Sequence, residues 1–517
     1  MSIRVVFPLL ALAVAGCATS ATEVPAPSAI VLDAASAESR TRTALDRIAE
    51  LNPRLNAVIA VDPTAVQQAQ TLDRNRRARG PLFGTPVLIK DNIETAGPLP
   101  TTAGSMALAN NVTGRDSPLV ARLRLAGAVI VGKANLSEWA NIRDNGSISG
   151  WSAVGGQVRN PYALNRNPCG SSSGSASAVA SGMVPMAVGT ETDGSITCPA
   201  AINGIVGFKP TVGLIPRTHI VPISASQDTA GPMTVTVRDA ALMLEAMVGS
   251  DPADPATAEA DRRREPYAER LSADSLRGRR IGVMRFADGF GTDERFEAAL
   301  AVLRAQGAVL VDIAEGPNRG EIGRNEFTVL LNELKAGLND YLATTPPTVT
   351  TRTLADVIAF NRATPRELAL FGQDTFEAAE ATPGLDSEAY RTARATSLRL
   401  AGAEGIDKLL RDHNIDALVG PTMPAAWPID AVHGDQISGG GGGGLAAVAG
   451  YPHLTVPMGL VRGLPVGLSF IGPKWSDSLI LSLGYAYEQA SRARVEPRFL
   501  NSIEESPEVA PLLRPTR

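Results

Sequence analysis

Short apolar runs without alternating polar positions recur along this chain, and helix signals separate them. The candidate strands are residues 56–61, 86–89, 128–131, 184–188, 280–284, 308–311 and 417–419. A strand that is apolar on both faces needs cover on both sides, which helices provide in α/β proteins. The pattern therefore predicts an α/β fold in which a mainly parallel sheet lies between layers of helices.

Capping residues mark the helices between these strands. Asp62 and Pro63 predict a helix that Gly80 ends, because aspartate caps free amides and proline fits the first turn. Residues 250–275, rich in Asp, Pro and Arg, break the pattern and predict an insertion or a lid. Further helices are predicted at residues 117–127, within residues 320–410 and after residues 476–477. The glycines at 439–444 predict a floppy loop, with a hinge or a close backbone approach as alternatives.

Composition limits the partners of this chain. Its 517 residues carry a net charge of -5, with 44% hydrophobic and 20% charged residues, as in ordinary globular proteins. Nucleic-acid binders need a basic face to neutralise phosphates, and the sequence shows none. We therefore expect no nucleic-acid partner.

The N-terminus has the pattern of an export signal. Arg4 precedes an apolar stretch too short to span a bilayer, and Cys17 ends a segment that resembles a bacterial lipobox. We expect a signal peptide at residues 1–17, a flexible tether at 18–32 and one folded domain at 33–517. The expected location is the periplasm or the outer membrane, with a lipid anchor on Cys17 as the possible membrane contact; an ordinary secretory signal is the alternative.

Export leaves the state of the two remaining cysteines open. Cys169 and Cys198 each flank a serine-rich loop, and an oxidising compartment permits a disulfide between them. Two free buried thiols are the alternative. Two cysteines are too few for a metal site, and we expect no metal or organic cofactor.

Two serine-rich loops and one lysine carry the chemistry that the sequence suggests. The loops are residues 169–175 and 189–195, and Lys90 ends the apolar run 86–89. A serine hydroxyl needs a base within hydrogen-bond reach, and a buried, uncharged lysine can be that base. The strand before the second loop would aim four backbone amides at one point, where they could hold an oxyanion: Thr192, Asp193, Gly194 and Ser195.

Other catalytic patterns fit less well. Residues 170–174 match G-x-S-x-G with Ser172 as nucleophile, but that motif requires a preceding strand, and residues 159–168 form a proline- and asparagine-rich loop. No Gly-Lys-Ser/Thr follows either loop, which excludes a phosphate cradle. A lone lysine after an apolar run is usually a strand-end charge. An exported peptide-binding lipoprotein without catalysis is the alternative from another functional class.

Several motifs in order resemble the amidase signature family, and the likeness covers residues 30–500. They are the serine loop with residues 176–181, the blocks 189–199 and 86–91, Gly207-Phe208-Lys209-Pro210-Thr211, and residues 420–422 and 463–468. The resemblance implies a single large mixed β-sheet between helices. It also implies an amide hydrolase in which Ser195 is the nucleophile and Lys90 the base. Ser171 would follow a cis peptide bond and bridge the two, and Ser172 would support the site through hydrogen bonds.

Departures from the family pattern narrow the range of substrates that we expect. Where many relatives have Asp-Thr-Gly-Gly-Ser-Ile-Arg, this chain has residues 191–197 as Glu-Thr-Asp-Gly-Ser-Ile-Thr. Thr197 thus replaces an arginine that can hold a substrate carboxylate. This version, with residues 226–232, looks most like exported peptide amidases, which act on C-terminal peptide amides; aryl or fatty amides are the alternatives. Trp151 is a candidate for lining the acyl pocket, and packing in the core is its alternative.

Overall fold

The protein is described here by a computed structural model that covers residues 36–75 and 80–515. The expected signal peptide (residues 1–17) with Cys17 and the tether (residues 18–32) lie outside the described residues. Among the helices that are described, none combines the length and the apolar character that crossing a membrane requires.

Eleven of the strands in the described chain form one large sheet, in the order β1-β3-β2-β6-β8-β7-β12-β13-β11-β9-β10. Strands β4 and β5 form a separate pair. This confirms the single large sheet flanked by helices. The strands are β1 (Val58–Val61), β2 (Pro86–Lys90), β3 (Val129–Ala134), β4 (Trp151–Ser152), β5 (Gly156–Gln157), β6 (Met186–Glu191), β7 (Val206–Lys209), β8 (Thr229–Thr234), β9 (Arg280–Met284), β10 (Val309–Ile313), β11 (Ala417–Pro421), β12 (His453–Val461) and β13 (Leu464–Ile471).

The direction of the strands differs from the expectation. β2 runs parallel to β3 and β6, and β9 runs parallel to β10 and β11. The other six neighbouring pairs of the described sheet are antiparallel. The prediction of a mainly parallel sheet was therefore wrong, and the sheet is mixed. Central strands such as β8 and β13 are buried along their whole length although they are antiparallel, so the apolar pattern could not report direction.

Helices cover both faces of this sheet. α3 and α15 lie where capping residues predicted them, and the helical stretch within residues 320–410 is confirmed. α2 begins later than predicted, because Asp62 Oδ1 accepts from the amide of Thr64 at 2.7 Å and holds a turn there. The helices are α1 (Ala37–Leu55), α2 (Ala65–Arg74), α3 (Pro118–Leu125), α4 (Ser173–Ala180), α5 (Thr197–Ile202), α6 (Val237–Met247), α7 (Ala260–Arg263), α8 (Asp293–Ala305), α9 (Arg319–Ala343), α10 (Leu354–Ala363), α11 (Asp374–Glu380), α12 (Glu388–Ala401), α13 (Asp407–Asp412), α14 (Gly443–Ala449) and α15 (Asp477–Ser491).

The glycine run at residues 439–444 is a close backbone approach and not a floppy loop. A Cβ atom on Gly441 would lie 2.0 Å from the carbonyl oxygen of Pro421, which no side chain can occupy. The amide of Gly441 also donates to the carbonyl oxygen of Thr422 at 3.2 Å. Glycine is therefore required where this segment crosses the end of β11.

The order of the strands places Lys90 next to the second serine loop. β2 and β6 are parallel neighbours, with Ile89 opposite Val188. The carboxyl ends of parallel neighbours lie at the same edge of a sheet, where ligand sites of α/β proteins form. Lys90 ends β2 and Glu191 ends β6, so the residues that follow each strand meet at this edge.

Candidate active site

Lys90 is fully buried at the end of β2. Its Nζ lies 2.8 Å from Ser171 Oγ and 2.8 Å from Thr190 Oγ1, and it donates to the carbonyl oxygen of Thr190 at 3.2 Å. Asn92 Nδ2 donates to the same Thr190 hydroxyl at 3.0 Å. The lysine amine is therefore held by three oxygen atoms, one of which belongs to the first serine loop.

Burial sets the charge of this amine. It lowers the pKa of Lys90 from its ordinary value near 10.5 to about 7, while the negative charges of Glu191 and Asp228 partly oppose the shift. Desolvation disfavours the charged form of an amine, and no carboxylate among the described residues forms an ion pair with Lys90. A large fraction of Lys90 is consequently uncharged at neutral pH and can accept a proton.

The first serine loop is fixed by hydrogen bonds on both sides. The peptide bond between Gly170 and Ser171 is cis. A Cβ atom on Gly170 would lie 2.1 Å from Ser137 Oγ, so a larger residue there would displace the Ser137 side chain. Ser172 Oγ donates to the carbonyl oxygen of Thr190 at 3.1 Å and accepts from its amide at 3.2 Å. Ser172 thus fastens the loop to the end of β6.

The second serine loop turns sharply at Gly194, whose φ of 76° lies in the left-handed region. The amide of Ser172 donates to the carbonyl oxygen of Ser195 at 3.1 Å, which joins the backbones of the two loops. Glu191 Oε2 accepts from the amides of Ile196 and Thr197 at 2.7 and 2.9 Å. Glu191 therefore holds the start of α5 directly after Ser195.

The backbone amides of residues 192–195 are unpartnered. None of these four N–H groups donates a hydrogen bond to another residue in the described part of the chain. The Ser195 side chain, in a residue only 8% exposed, likewise makes no hydrogen bond with a described residue. Backbone amides without a partner, next to a serine hydroxyl, are available as donors to an oxyanion.

Two cavities flank this loop. The first cavity, of about 400 Å³, is lined at its base by Asn92, Thr190, Thr192 and Asp228. The second cavity, of about 560 Å³, is lined by Asp193, Gly194, Thr197 and Cys198, by part of α9 and by the glycine run. Both volumes fall within the roughly 300 to 1,000 Å³ range of small-molecule sites.

Three contributors to the site were not assigned a role from the sequence. The Thr190 hydroxyl accepts hydrogen bonds from Lys90 and from Asn92. Asp228 Oδ1 accepts from Thr192 Oγ1 at 2.6 Å. Asp228 also accepts from the amides of Ile223 and Ser224. A polar residue close to the end of an apolar run is the one signal that could have drawn attention to Thr190 and Asn92.

The two cysteines form a disulfide, which was one of the two alternatives. Cys169 and Cys198 are joined, with their Cα atoms 6.1 Å apart. Cys169 lies at the start of the first serine loop and Cys198 in α5, so the bridge ties the two loops together. No group of three or more His, Cys, Asp or Glu side chains within the described ranges could hold a metal ion.

Trp151 lies away from both cavities. It is 4% exposed, and its ring packs edge-on against Phe371 with centroids 5.2 Å apart. It does not line either cavity. These contacts agree with the alternative that Trp151 packs in the core, and not with a role in lining the acyl pocket.

Comparisons with known proteins place this site in a family. Residues 39–481 match the family model described as Amidase. A probable amidase of Arabidopsis thaliana is 40% identical over 470 residues, covering 88% of this chain and 87% of the relative. The native peptide amidase of Stenotrophomonas maltophilia is 52% identical with a TM-score of 0.85, covering 90% of this chain and 96% of that one. A similar structure, with a TM-score of 0.86 and 52% identity over 90% of this chain and 96% of that one, is a peptide amidase bound to the competitive inhibitor chymostatin. The chain belongs to the amidase signature family and is an amide hydrolase.

Proposed function

We propose that this amidase hydrolyses the terminal carboxamide of C-terminally amidated peptides, with Ser195 as nucleophile, Ser171 as bridge and Lys90 as base. The observation that carries the proposal is the buried amine of Lys90, with a pKa lowered to about 7, at 2.8 Å from Ser171 Oγ. A lysine in this state can take a proton at neutral pH, which a solvated lysine cannot.

We propose that these residues act in the following order. Lys90 Nζ takes the Ser171 proton while Ser171 Oγ takes the Ser195 proton, and Ser195 Oγ attacks the amide carbon. The oxyanion accepts hydrogen bonds from the amides of residues 192–195. The proton returns through Ser171 to the amide nitrogen, the C–N bond breaks, and ammonia leaves an acyl group on Ser195. A water molecule, deprotonated by the same relay, then releases the carboxylic acid and restores Ser195.

Two features support a peptide amide as the substrate. Thr197 stands where a carboxylate-binding arginine would favour small acidic substrates, and its hydroxyl donates to Glu191 Oε2 at 3.2 Å. The second cavity is large enough for a short peptide, and the structurally similar Stenotrophomonas maltophilia protein is a peptide amidase. Aryl and fatty amides are the competing substrates within the same family.

We also propose that the protein is exported. The support is the sequence alone: the apolar segment after Arg4 and the lipobox-like segment that ends at Cys17. In this proposal the part of the signal segment before Cys17 is removed, Cys17 becomes the lipidated first residue, and residues 18–32 tether the amidase domain of residues 33–517 in the periplasm or at the outer membrane.

Replacement of the nucleophile tests the catalytic proposal. We expect Ser195→Ala to lose at least about 10⁴-fold in ammonia release from a C-terminally amidated dipeptide, because the attacking atom is gone. Ser175→Ala is the matched control, since Ser175 is a buried serine of α4 that donates to the carbonyl oxygen of Val188 and lies outside the relay. Folding is checked by circular dichroism.

Activity retained in purified Ser195→Ala would rule out this nucleophile. A parallel panel of dipeptide, aryl and fatty amides tests the substrate. A kcat/KM for an aryl or fatty amide that exceeds the value for the dipeptide amide would overturn the peptide-amide assignment and leave the nucleophile assignment standing.

A further inference from the structure

An aspartate points into the second cavity from the nucleophile loop. Asp193 occupies a position at which many relatives have glycine, and it is exposed to the cavity. A Cβ atom on Gly444 would lie 3.5 Å from Asp193 Oδ2, which places the carboxylate against the glycine run. No described residue donates a hydrogen bond to this carboxylate. An open carboxylate two residues from the nucleophile has the position of a substrate contact.

Glu326 brings a second carboxyl group from α9 into the same cavity. Gln227 Nε2 donates to Glu326 Oε1 at 2.8 Å and also to the carbonyl oxygen of Thr192 at 3.3 Å. Gln227 therefore orients Glu326 relative to the second serine loop.

Nearby cations do not fully offset the negative charges that Asp193 and Glu326 would carry when ionised. Although Asp193 faces the open cavity, desolvation of its carboxyl group by the surrounding protein, with the negative charges of Glu326 and Glu191, holds the pKa of Asp193 well above its usual range, and the cation of Lys209 only partly opposes this. Burial likewise raises the pKa of Glu326. Two carboxyl groups that repel each other are stabilised in their charged forms by a cation placed between them.

An unpartnered nitrogen lines the same cavity. His453 is 1% exposed, its Nε2 lies 2.7 Å from Ser469 Oγ, and its Nδ1 has no hydrogen-bond partner. A Cβ atom on Gly443 would lie 3.4 Å from this Nδ1, and Gly443 is the neighbour of the glycine that faces Asp193. Because consecutive Cα atoms are about 3.8 Å apart, the nitrogen and the carboxylate approach the same short stretch of backbone.

We propose that Asp193 and Glu326, with His453 Nδ1 beside them, form a subsite for an ammonium group of the substrate. This inference rests on the proposed function and deepens it: the preferred amide carries a protonated amine near the scissile bond. The source is either the free amino terminus of an amino-acid or short peptide amide, or the side chain of a lysine-like residue.

The composition of the cavity favours an ammonium group over other ligands. A substrate carboxylate would be repelled by both acidic groups. Arg319 does not compensate them, because its guanidinium donates to the carbonyl oxygens of Gly440 and Gly441 at 3.3 and 3.2 Å, at the exposed rim. A metal ion would need at least three His, Cys, Asp or Glu ligands close enough to coordinate it together, and no such group occurs among the described residues, Asp193, Glu326 and His453 included.

Paired substrates test the proposal through ammonia release. The first pair is L-leucinamide and N-acetyl-L-leucinamide, in which acetylation removes the positive charge. The second pair is N-acetyl-L-lysinamide and N-acetyl-L-norleucinamide, which differ by the side-chain ammonium. At pH 7 we expect kcat/KM to be at least about tenfold higher for the cationic member of one pair, and that pair identifies the source of the amine.

Asp193→Asn and Glu326→Gln should each reduce the ratio of kcat/KM between the cationic and the neutral amide of that pair by about tenfold or more. The change should come mainly from a higher KM for the cationic amide. Glu321→Gln is the matched control, because Glu321 lies on the same helix but does not line the cavity, and its ratio should equal that of the wild type.

A wild-type ratio near one in both pairs, or ratios that the two variants leave unchanged, would overturn the ammonium subsite. Because N-acetyl-L-leucinamide and N-acetyl-L-norleucinamide carry no ammonium group, their hydrolysis would show that the proposed function survives such a result. Absence of ammonia from all four amides would instead contradict the proposed function.

Discussion

At Lys90, full burial and nearby negative charge act on the same amine in opposite directions. Burial lowers the pKa of Lys90, and Glu191 and Asp228 raise it. Lys133, another buried lysine, differs because its Nζ lies 3.6 Å from Asp91 Oδ1 in an ion pair. Lys209 is also buried without an ion pair to a described carboxylate, and burial lowers its pKa to about 8, but its Nζ donates to the carbonyl oxygen of Pro210. Of these three buried lysines, Lys90 is the one whose amine bonds with a residue of the first serine loop.

The pH dependence of kcat/KM should report this amine. We expect activity to rise with pH through about 7 and to level off above it, because only the uncharged form of Lys90 accepts a proton. Glu191→Gln removes a negative charge that favours the protonated amine, so the pKa of Lys90 falls and the rise moves to lower pH. The carboxamide oxygen of the glutamine keeps an acceptor for the amides of residues 196–197.

Steady-state rates between pH 5 and pH 9 with an uncharged amide measure the effect. Glu50→Gln, a change at an exposed position of α1, is the control for loss of one carboxylate. A shift of the rise to higher pH in Glu191→Gln would contradict the assignment of the base.

Sequence reasoning singled out the proposed catalytic residues more readily than the residues that bond with them. Lys90, Ser171 and Ser195 stand out because their motifs are local, and the structure brings Lys90 and Ser171 to 2.8 Å. Thr190 and Asn92 could not be assigned, since their hydrogen bonds exist only after β2 and β6 pair. Pairing of distant segments is not encoded in any single stretch of sequence.

At the level of elements, the outer strands were easier to predict than the central ones. The strands that run parallel to a neighbour, β2, β3, β6, β9, β10 and β11, coincide with predicted apolar runs. β7, β8, β12 and β13 were not predicted as strands. Three of them, β8, β12 and β13, contain both a glycine and a proline, which together argue locally against a strand. Burial in the middle of the sheet overrides that local preference.

The disulfide between Cys169 and α5 should stabilise the site as a unit. The bridge closes a loop between residues 29 apart, and the chain-entropy model assigns roughly 3 to 4 kcal/mol to such a loop. We expect the variant with both cysteines replaced by alanine to unfold at a Tm a few degrees lower, as measured by scanning calorimetry. A reductant should lower the Tm of the wild type and leave the variant unaffected. Equal Tm values for oxidised wild type and variant would contradict this role.

For the molecule as a whole, burial of the Lys90 amine, the proposed base, lowers stability. Lys90 retains its proton in the unfolded chain up to a pKa of about 10.4 and loses it near 7 in the folded protein, a difference of roughly 4 to 5 kcal/mol. Below pH 7 both states are protonated, and the full penalty of burying the charge applies. Between the two pKa values the unfolded state binds more protons, so this penalty falls as pH rises.

Lys90→Met should therefore be more stable than the wild type at pH 6, and its advantage should shrink by about 1.4 kcal/mol per pH unit from pH 7 to pH 10. Methionine fills a similar volume without a charge, although it leaves Ser171 and Thr190 with fewer partners, which offsets about 1 to 3 kcal/mol of the gain. Thermal unfolding of both proteins at several pH values measures the difference. The exposed Lys474→Met variant is the control for loss of one lysine. A stability difference between Lys90→Met and wild type that stays constant from pH 6 to pH 10 would show that Lys90 keeps its ordinary pKa in the fold, and the proton relay would then lack its base.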